Sequence, residues 1–414
     1  MIKNRHIEIL SPAGSYESLT TAINAGADAI YFGVEQLNMR ARSSDNFTLD
    51  DLEKIANICK KNNTRSYITL NTVIYDHDLQ LMRNIVNAAK KSGISAIIAS
   101  DIAVMEYVRS VGMELHISTQ ANVSNIEAVA FYSTYADVMV LARELSLKQV
   151  AQITSEIKRK NITGPGRKLI RIELFAHGAL CMAISGKCYL SLHSHFASAN
   201  RGACIQNCRR KYIVKDEEDD IELAIDNEYI MSSKDLCTIE FLDKIINSGV
   251  SILKIEGRGR SSDYVHITTL CYRQAVDAIK NGTYNKKQCK MWKEKLSTVF
   301  NRGFWDGYYL GKKLGEWNDT YGSQATKRKI YLGKGIKYFS KIKVGEFLIE
   351  SDKVRTGDEI LITGPDSGLM QIKIKELRIN DKINGEAKKG DVFSMPVDRK
   401  IRPSDRIYKL VDVS

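Results

Sequence analysis

Residues 66–100 read SYITLNTVIYDHDLQLMRNIVNAAKKSGISAIIAS, and this stretch indicates the fold. Two apolar runs, 66–70 and 96–100, flank an amphipathic segment at 78–91 that is long enough for a helix. A strand, a helix and a second strand in this order are typical of a parallel sheet, because the helix carries the chain back to the start of the next strand.

The same alternation runs through the first 260 residues. The predicted strands are 7–10, 29–32, 66–70, 96–100, 114–118, 138–141, 170–175 and 251–255. Further helices are predicted at 16–25, 49–61 and 147–158; in the second of these, Leu52, Ile55, Ala56 and Cys59 follow the spacing of one buried helix face. Eight such units in about 260 residues match a (β/α)₈ barrel. A doubly wound open sheet is the alternative, although no G-x-G-x-x-G motif follows the first strand.

The pattern of apolar and polar residues changes twice after the predicted barrel. We predict a (β/α)₈ barrel at 1–285 with a cysteine-rich loop at 177–228, and a helical extension with a linker at 286–328. The tail at 329–414 carries short alternating runs, such as 359–363 and 370–374, split by Gly-containing turns. This pattern predicts a small antiparallel β-barrel domain.

Composition and charge narrow the class of protein. The 414 residues are 43% hydrophobic and 27% charged, which is ordinary globular composition. The sequence contains no run of eighteen apolar residues, so we predict no membrane-spanning helix. Residues 1–10 are too charged for a signal peptide, and we therefore expect a cytoplasmic protein. The net charge is +12, and residues 327–414 contain 20 Lys and Arg against 13 Asp and Glu. This excess favours a nucleic-acid partner, with a solvated lysine-rich surface as the alternative.

Four of the eight cysteines fall in the predicted loop: Cys181, Cys188, Cys204 and Cys208. In a reducing compartment such a group more often binds metal than forms disulfides. Four thiolates suit a tetrahedral zinc site or a [4Fe–4S] cluster. The C-x₆-C and C-x₃-C spacings fit a zinc ribbon less well, but on spacing alone both metals stay open.

Polar residues follow several predicted strands, where barrel enzymes bind their substrates. Gln120 and Asn122 suit hydrogen bonds to amides or bases, and Arg143 and Arg258 suit a carboxylate or phosphate. His177 with Glu256 is a candidate acid–base pair. The full ring of strand-end candidates is Ser11, Asn71, Asp101, Gln120, Asn122, Arg143, Glu144, His177, Glu256 and Arg258.

Several motifs resemble those of the collagenase-like "unassigned" peptidase family. The strongest is ELFAHGALCMAISGKC at 173–188. The others are EILSPAG at 8–14, GADAIY at 26–31, STQAN at 118–122, RELS at 143–146, SKDL at 233–236 and KIEGR at 254–258. These motifs cover about residues 7–310, and the tail resembles the C-terminal barrel domain of the family.

The resemblance is greatest to the branch that hydroxylates the wobble uridine of tRNA to 5-hydroxyuridine and requires prephenate. It implies a [4Fe–4S] cluster on Cys181, Cys188, Cys204 and Cys208, and tRNA as the partner. Catalytic roles then fall to His177, Glu256 and Arg258, and substrate binding to Gln120, Asn122 and Arg143. The alternatives are a collagenase-like metallo- or unassigned peptidase and a non-catalytic metal-binding module. A protein partner or a homo-oligomer is also left open.

Overall fold

A closed barrel of parallel strands forms the larger part of the molecule. The computed structural model describes residues 5–42, 46–212, 231–311, 316–320 and 322–413. The strands in this part are β1 (Glu8–Pro12), β2 (Ala29–Gly33), β3 (Arg65–Leu70), β4 (Ala96–Ala99), β5 (Glu114–Ile117), β6 (Val138–Val140), β7 (Arg171–Gly178), β8 (Asp235–Cys237), β9 (Ile252–Ile255) and β10 (Phe304–Trp305).

The closure of the barrel depends on β9. Strands β1 to β7 pair in chain order and in parallel, and β9 pairs in parallel with both β7 and β1. Glu173 of β7 and Glu8 of β1 both lie in register with Ile252. The predicted eight-stranded barrel is therefore confirmed, and the open sheet is excluded.

Helices surround the barrel and cover its strands. They are α1 (Tyr16–Asn24), α2 (Asp51–Lys61), α3 (Leu79–Lys91), α4 (Ile102–Ser110), α5 (Ile126–Tyr132), α6 (Leu147–Arg159), α7 (Leu190–His195), α8 (Leu242–Asn247), α9 (Ser262–Asn281) and α10 (Lys286–Ser297). In α2 the predicted apolar face, Leu52, Ile55, Ala56 and Cys59, is buried. This burial is the expected gain for an amphipathic helix on a sheet.

Charged side chains close the barrel at the end where the strands begin. Arg171 of β7 bonds Glu8 of β1 at 3.1 Å and Glu114 of β5 at 3.2 Å, and Arg65 of β3 bonds Glu114 at 2.6 Å. Tyr67 donates a hydrogen bond to Glu8 at 2.7 Å. This network occupies the N-terminal end of the barrel, opposite to the strand ends where barrel enzymes bind their substrates.

The segment after β7 is more structured than predicted. Strand β7 continues to Gly178, three residues beyond its predicted end, because β8 pairs with its last residues in antiparallel fashion. Strand β10 then pairs with β8. Helix α7 and 3₁₀ turns at Ala199–Arg201 and Asn207–Arg209 follow in the predicted loop, whose residues 213–228 lie outside the described part.

The tail forms a separate antiparallel β domain, as predicted. Eight strands pair in one sheet, and the segments Lys353–Arg355 and Glu386–Lys388 form a two-stranded ribbon. The strands are β11 (Lys327–Phe339), β12 (Val344–Ile349), β13 (Lys353–Arg355), β14 (Glu359–Gly364), β15 (Gly368–Lys373), β16 (Leu377–Ile379), β17 (Lys382–Asn384), β18 (Glu386–Lys388), β19 (Val392–Pro396) and β20 (Arg406–Asp412). They share a core that includes Leu332, Phe347 and Phe393.

The two domains touch along α1 and α9. Thr20 of α1 donates a hydrogen bond to the carbonyl of Pro365 at 2.8 Å, and Lys329 of β11 pairs with Asp263 of α9 at 2.6 Å.

Throughout the described residues, none of the helices combines the length and the apolar character that crossing a lipid bilayer requires.

Candidate active site at the barrel mouth

An ion pair lies at the mouth of the barrel. The Nη2 atom of Arg40, in the loop after β2, is 2.8 Å from Oε1 of Glu256, which directly follows β9. The hydroxyl of Tyr31 donates to the carbonyl of Ile255 at 2.8 Å and lies 3.3 Å from Oε2 of Glu256. The carboxylate is thus held from two sides.

Three guanidinium groups keep this carboxylate ionised. Burial alone raises the pKa of Glu256, but the charges of Arg40, Arg143 and Arg258 outweigh it and lower the pKa to about 2. Glu256 is therefore an anion at neutral pH and suits the orientation of a cation or a hydrogen-bond donor. A proton donor at neutral pH would need a raised pKa instead.

Arg258 is part of the buried floor of the site. Its Nη1 atom donates to Oδ1 of Asn38 at 3.0 Å and to Oγ1 of Thr69 at 2.8 Å. Burial lowers its pKa to about 10, so the guanidinium stays charged at neutral pH. Asn38 also accepts a bond from the backbone of Arg40 at 3.0 Å and so ties the two arginines together.

A second ion pair lies inside the barrel. The Nζ atom of Lys254 is 2.7 Å from Oε1 of Glu173, and both side chains are almost wholly buried. Lys254 also sits 4.7 Å from the ring centre of Tyr31. Within the described residues, Oε2 of Glu173 has no hydrogen-bond partner, so this layer retains an unused acceptor.

His177 lies at the end of β7 but is enclosed by aromatic rings. Its ring centre is 5.6 Å from that of Tyr272, 5.7 Å from Phe304 and 5.9 Å from Tyr264. Burial, assisted by the charge of Arg260, lowers the pKa of His177 to about 3. The imidazole is therefore neutral. His177 is connected to the mouth through its backbone, because its carbonyl accepts a hydrogen bond from the amide of Glu256 at 2.9 Å.

Arg143 and Gln120 contact the cysteine-rich loop. The guanidinium of Arg143 stacks 3.8 Å from the ring centre of Phe175 and donates to the carbonyl of Ala179 at 3.1 Å. Gln120 packs against Gly186, where a Cβ atom would come 1.9 Å from the amide oxygen. Asn122 is half-buried and left-handed, with φ of 55°, at the end of the same 3₁₀ turn as Gln120.

Other members of the predicted strand-end ring serve the framework. Ser11 bonds Thr269 at 2.9 Å, and Asn71 donates to Ser118 at 3.2 Å, both in buried positions. Asp101 caps α4 by accepting from Ala103 at 2.9 Å. Asn71 also accepts from the backbone amide of Met39 at 3.3 Å and so supports the loop that carries Arg40, whereas Ser11 and Asp101 hold the framework of the barrel.

Two contacts near Gly202 hold the cysteine-rich loop against the barrel. Gly202 accepts a hydrogen bond from the backbone of Arg42 at 3.3 Å, and Arg201 forms an ion pair with Asp78. Gly202 has φ of 80°, and a Cβ atom there would lie 2.3 Å from the carbonyl oxygen of Asn38. Only glycine suits this contact between the loop and the floor of the site.

The four loop cysteines lie in one neighbourhood as free thiols. Cys181 is exposed and Cys188, Cys204 and Cys208 are half-buried. Burial raises the pKa of Cys208, and the charges of the other three raise it further against the effect of Arg209. By contrast, Cys59, Cys237, Cys271 and Cys289 are buried outside the cysteine-rich loop.

This set of thiols fits a four-thiolate centre in its chemistry. Soft thiolate ligands suit iron–sulfur clusters and zinc. In the described part of the chain, no three His, Cys, Asp or Glu side chains converge tightly enough to hold an ion. The number and kind of donors therefore fit the group, while the positions of the sulfur atoms define no coordination geometry.

Reasoning from strand ends missed three residues of this site: Arg40, Tyr31 and Asn38. Tyr31 is inside a strand, and Arg40 lies seven residues beyond the end of β2. For Asn38 and Arg40 the signal in the sequence was the stretch QLNMRAR at 36–42, which carries two arginines and begins three residues after a wholly buried strand.

Comparison with known proteins places the chain in a family. The model of "Peptidase family U32" matches residues 14–319. A Porphyromonas gingivalis protein named "Collagenase" is 58% identical over 402 residues, which are 97% of each chain. "tRNA hydroxylation protein P1" of Bacillus subtilis is 30% identical over 97% of this chain and 94% of its own. "23S rRNA 5-hydroxycytidine C2501 synthase" of Escherichia coli is 33% identical over 67% of this chain and 40% of its own. The resemblance seen in the motifs is confirmed: the chain belongs to peptidase family U32.

Proposed function

We propose that this protein is an RNA-modifying enzyme that hydroxylates the wobble uridine of tRNA to 5-hydroxyuridine. The observation that carries the proposal is the position of four free thiols beside a buried cluster of Glu256, Arg40 and Arg258 at one barrel mouth. Relatives named for the hydroxylation of tRNA and rRNA support RNA as the substrate.

Cys181, Cys188, Cys204 and Cys208 would hold a [4Fe–4S] cluster, with zinc as the alternative. Such a cluster supplies one-electron transfer when bound. Arg143 orders the start of the loop by holding the carbonyl of Ala179, two residues before Cys181. Gln120 supports the loop at Gly186.

A nucleobase has to leave its stack before it can be modified. In the proposed complex, Gln120 and Asn122 read the edge of the extruded base, and Glu256 with Arg40 forms the charged floor beneath it. For the carboxylate of a required metabolite such as prephenate, Arg143 is better placed than Arg258. Arg143 is half-buried, whereas Arg258 is only 6% exposed and its Nη1 donates to two protein oxygens.

Nucleoside mass spectrometry of tRNA tests the proposal. A deletion strain should lose 5-hydroxyuridine, the wild-type gene should restore it, and a gene carrying Cys181→Ser should not. Cys59→Ala is the matched control, because Cys59 lies on the buried face of α2, far in sequence from the loop. Unchanged 5-hydroxyuridine in the deletion strain would contradict the proposal.

A peptidase is the second candidate, favoured by the 58% identity to a protein named "Collagenase". The enclosed, neutral imidazole of His177 is a poor activator of a nucleophile at the mouth. One metal-replete preparation assayed on gelatin separates the candidates. Cleavage that co-purifies with the wild type and is lost with Glu256→Gln would favour the peptidase.

A further inference from the structure

A cavity lined by arginines lies next to the cysteine-rich loop. It measures about 580 Å³, and Cys204 forms part of its wall. Its five arginines come from four separate segments of the chain: Arg42, Arg209, Arg210, Arg260 and Arg302. No Asp or Glu is among the described residues that line it.

The floor of this arginine cavity is desolvated. The guanidinium of Arg260 lies 3.5 Å from the ring centre of Phe300, and that of Arg302 lies 5.0 Å from the same ring. Buried Asp235 lies 3.6 Å from Arg302 and is not among the residues that line the cavity. Burial lowers the pKa of both arginines, that of Arg302 to about 10, so positive charge here is only partly compensated.

The rim carries further positive charge. Arg42 and Arg210 are exposed, and neither forms an ion pair within the part of the chain that the structure describes. Arg209 is fixed between them and the floor, since it donates to Oγ of Ser232 at 3.2 Å and to the carbonyls of Ser233 at 2.6 Å and Leu180 at 2.5 Å, so it contributes charge to the cavity while its donors serve the protein. The planar guanidinium groups of the two rim arginines match the oxygens of a phosphate.

The basic surface continues into a second cavity. Phe300 also lines a space of about 630 Å³ between α9, α10 and the C-terminal domain. The cations along this space are Lys295, Lys327, Arg328, Lys329 and Lys373. Lys327 and Lys329 pair with Glu359 and Asp263, which leaves three cations in excess. Two adjoining basic cavities suit an extended polyanion better than one small dianion.

We propose that Arg42, Arg210, Arg260 and Arg302 bind backbone phosphates of the RNA next to the modified nucleotide, and that the second cavity leads the strand to the C-terminal domain. Arg209 holds the wall between the rim and the floor of the arginine cavity. The inference rests on the proposed function, because RNA is the polyanion that the enzyme would hold. It assigns part of the basic excess of the chain to one path, which begins at the wall formed by Cys204.

Binding of the full-length protein to tRNA over a range of salt concentrations tests the path. The variant Arg42→Gln/Arg210→Gln removes the two rim charges. Phosphate contacts release counterions, so affinity falls as salt rises. Loss of two contacts should make the negative slope of log affinity against log salt shallower by roughly 1.5 and weaken binding about tenfold. Iron content and Tm should match the wild type.

The matched control is Arg109→Gln/Arg159→Gln. Both residues are exposed arginines in the last turns of α4 and α6. The helices run opposite to the strands, so these turns lie at the far end of the barrel. The charge change is the same, yet the affinity for tRNA and the salt slope should stay at wild-type values.

The outcomes separate this inference from the proposed function. If the wild type restores 5-hydroxyuridine but the rim variant binds tRNA with unchanged affinity and slope, the phosphate path is wrong and the function stands. If pyrophosphate binding is lost in the rim variant while tRNA binding is retained, the cavity serves a small anion, and the inference is overturned. A wild type that neither binds tRNA nor restores the nucleoside would refute both.

Discussion

Arg40 and Glu256 are 216 residues apart in the chain, yet their side chains form an ion pair of 2.8 Å at the barrel mouth. Arg40 follows β2 and Glu256 follows β9, and both strands are neighbours of β1. The pair therefore exists only because β9 closes the barrel. It joins the last strand of the sheet to the loop that also contacts Gly202 of the cysteine-rich segment.

Glu256→Gln should lower the free energy of unfolding at neutral pH and make it less dependent on pH in the acid range. The pKa of Glu256 is about 2 in the folded protein, against an ordinary value of 4.5. Its stabilising effect is thus complete above pH 4.5 and is lost as the pH falls toward 2, on the order of 3 kcal/mol in total. Denaturant unfolding of both proteins between pH 7 and 3 measures this. Parallel curves would contradict the prediction.

His177→Phe should remove a different acid sensitivity. Burial lowers the folded pKa of His177 to about 3, so the wild type loses stability as the pH falls below the ordinary value of 6.5. The variant keeps an aromatic ring among Tyr264, Tyr272 and Phe304 but cannot be protonated. Between pH 6.5 and 4.5, where Glu256 stays ionised, its unfolding free energy should fall less steeply, by about 1.4 kcal/mol per pH unit. Equal slopes would indicate that His177 is protonated in the folded state.

Gly202→Ala should destabilise the site far more than Gly93→Ala. Both glycines are left-handed, with φ of 80° and 77°, so both variants bear a strain of about 1 kcal/mol. A Cβ atom at Gly202 would lie 2.3 Å from the carbonyl of Asn38, whereas none of the described atoms lies within 4 Å at Gly93. Thermal unfolding and metal content of the two variants give the comparison. Similar losses in both would mean that the loop does not contact Asn38.

Cys181→Ser and Cys204→Ser should each abolish a broad absorption near roughly 400 nm in protein purified without oxygen. Cys59→Ala and Cys271→Ala should retain it, because their thiols lie outside the cysteine-rich loop and burial raises the pKa of each to about 12. Iron and sulfide analysis provides the second readout. A colourless wild type with one tightly bound zinc would contradict the iron–sulfur assignment.

Most of the barrel was predictable because its signals are local. Each of the eight predicted barrel strands is present within three residues of its expected ends, since alternation of buried runs and amphipathic helices is written in short windows. Strands β8 and β10 were not predicted. They contain three and two residues, too few to show any period; β8 forms by pairing with the end of β7, and β10 forms by pairing with β8.

The site was predictable only in part. Strand ends indicated Glu256, Arg258 and Arg143, and the structure places all three around one charged floor. It also places His177 in an aromatic enclosure, which no motif around that residue indicated. The position of Arg40 was not predicted, because it lies seven residues beyond β2, in a loop that returns to the mouth. The path of such a loop is set by tertiary contacts such as that between Asn38 and Arg258.

By itself, the sequence determined the order of strands and helices, the set of four clustered thiols and the excess of basic residues. These are properties of neighbouring residues and of composition. Only the tertiary structure decided that Glu256 meets Arg40 and that arginines from four segments surround one cavity beside Cys204. Such contacts join residues that are distant in the chain, and they arise when the barrel closes and the packing of its loops selects one arrangement.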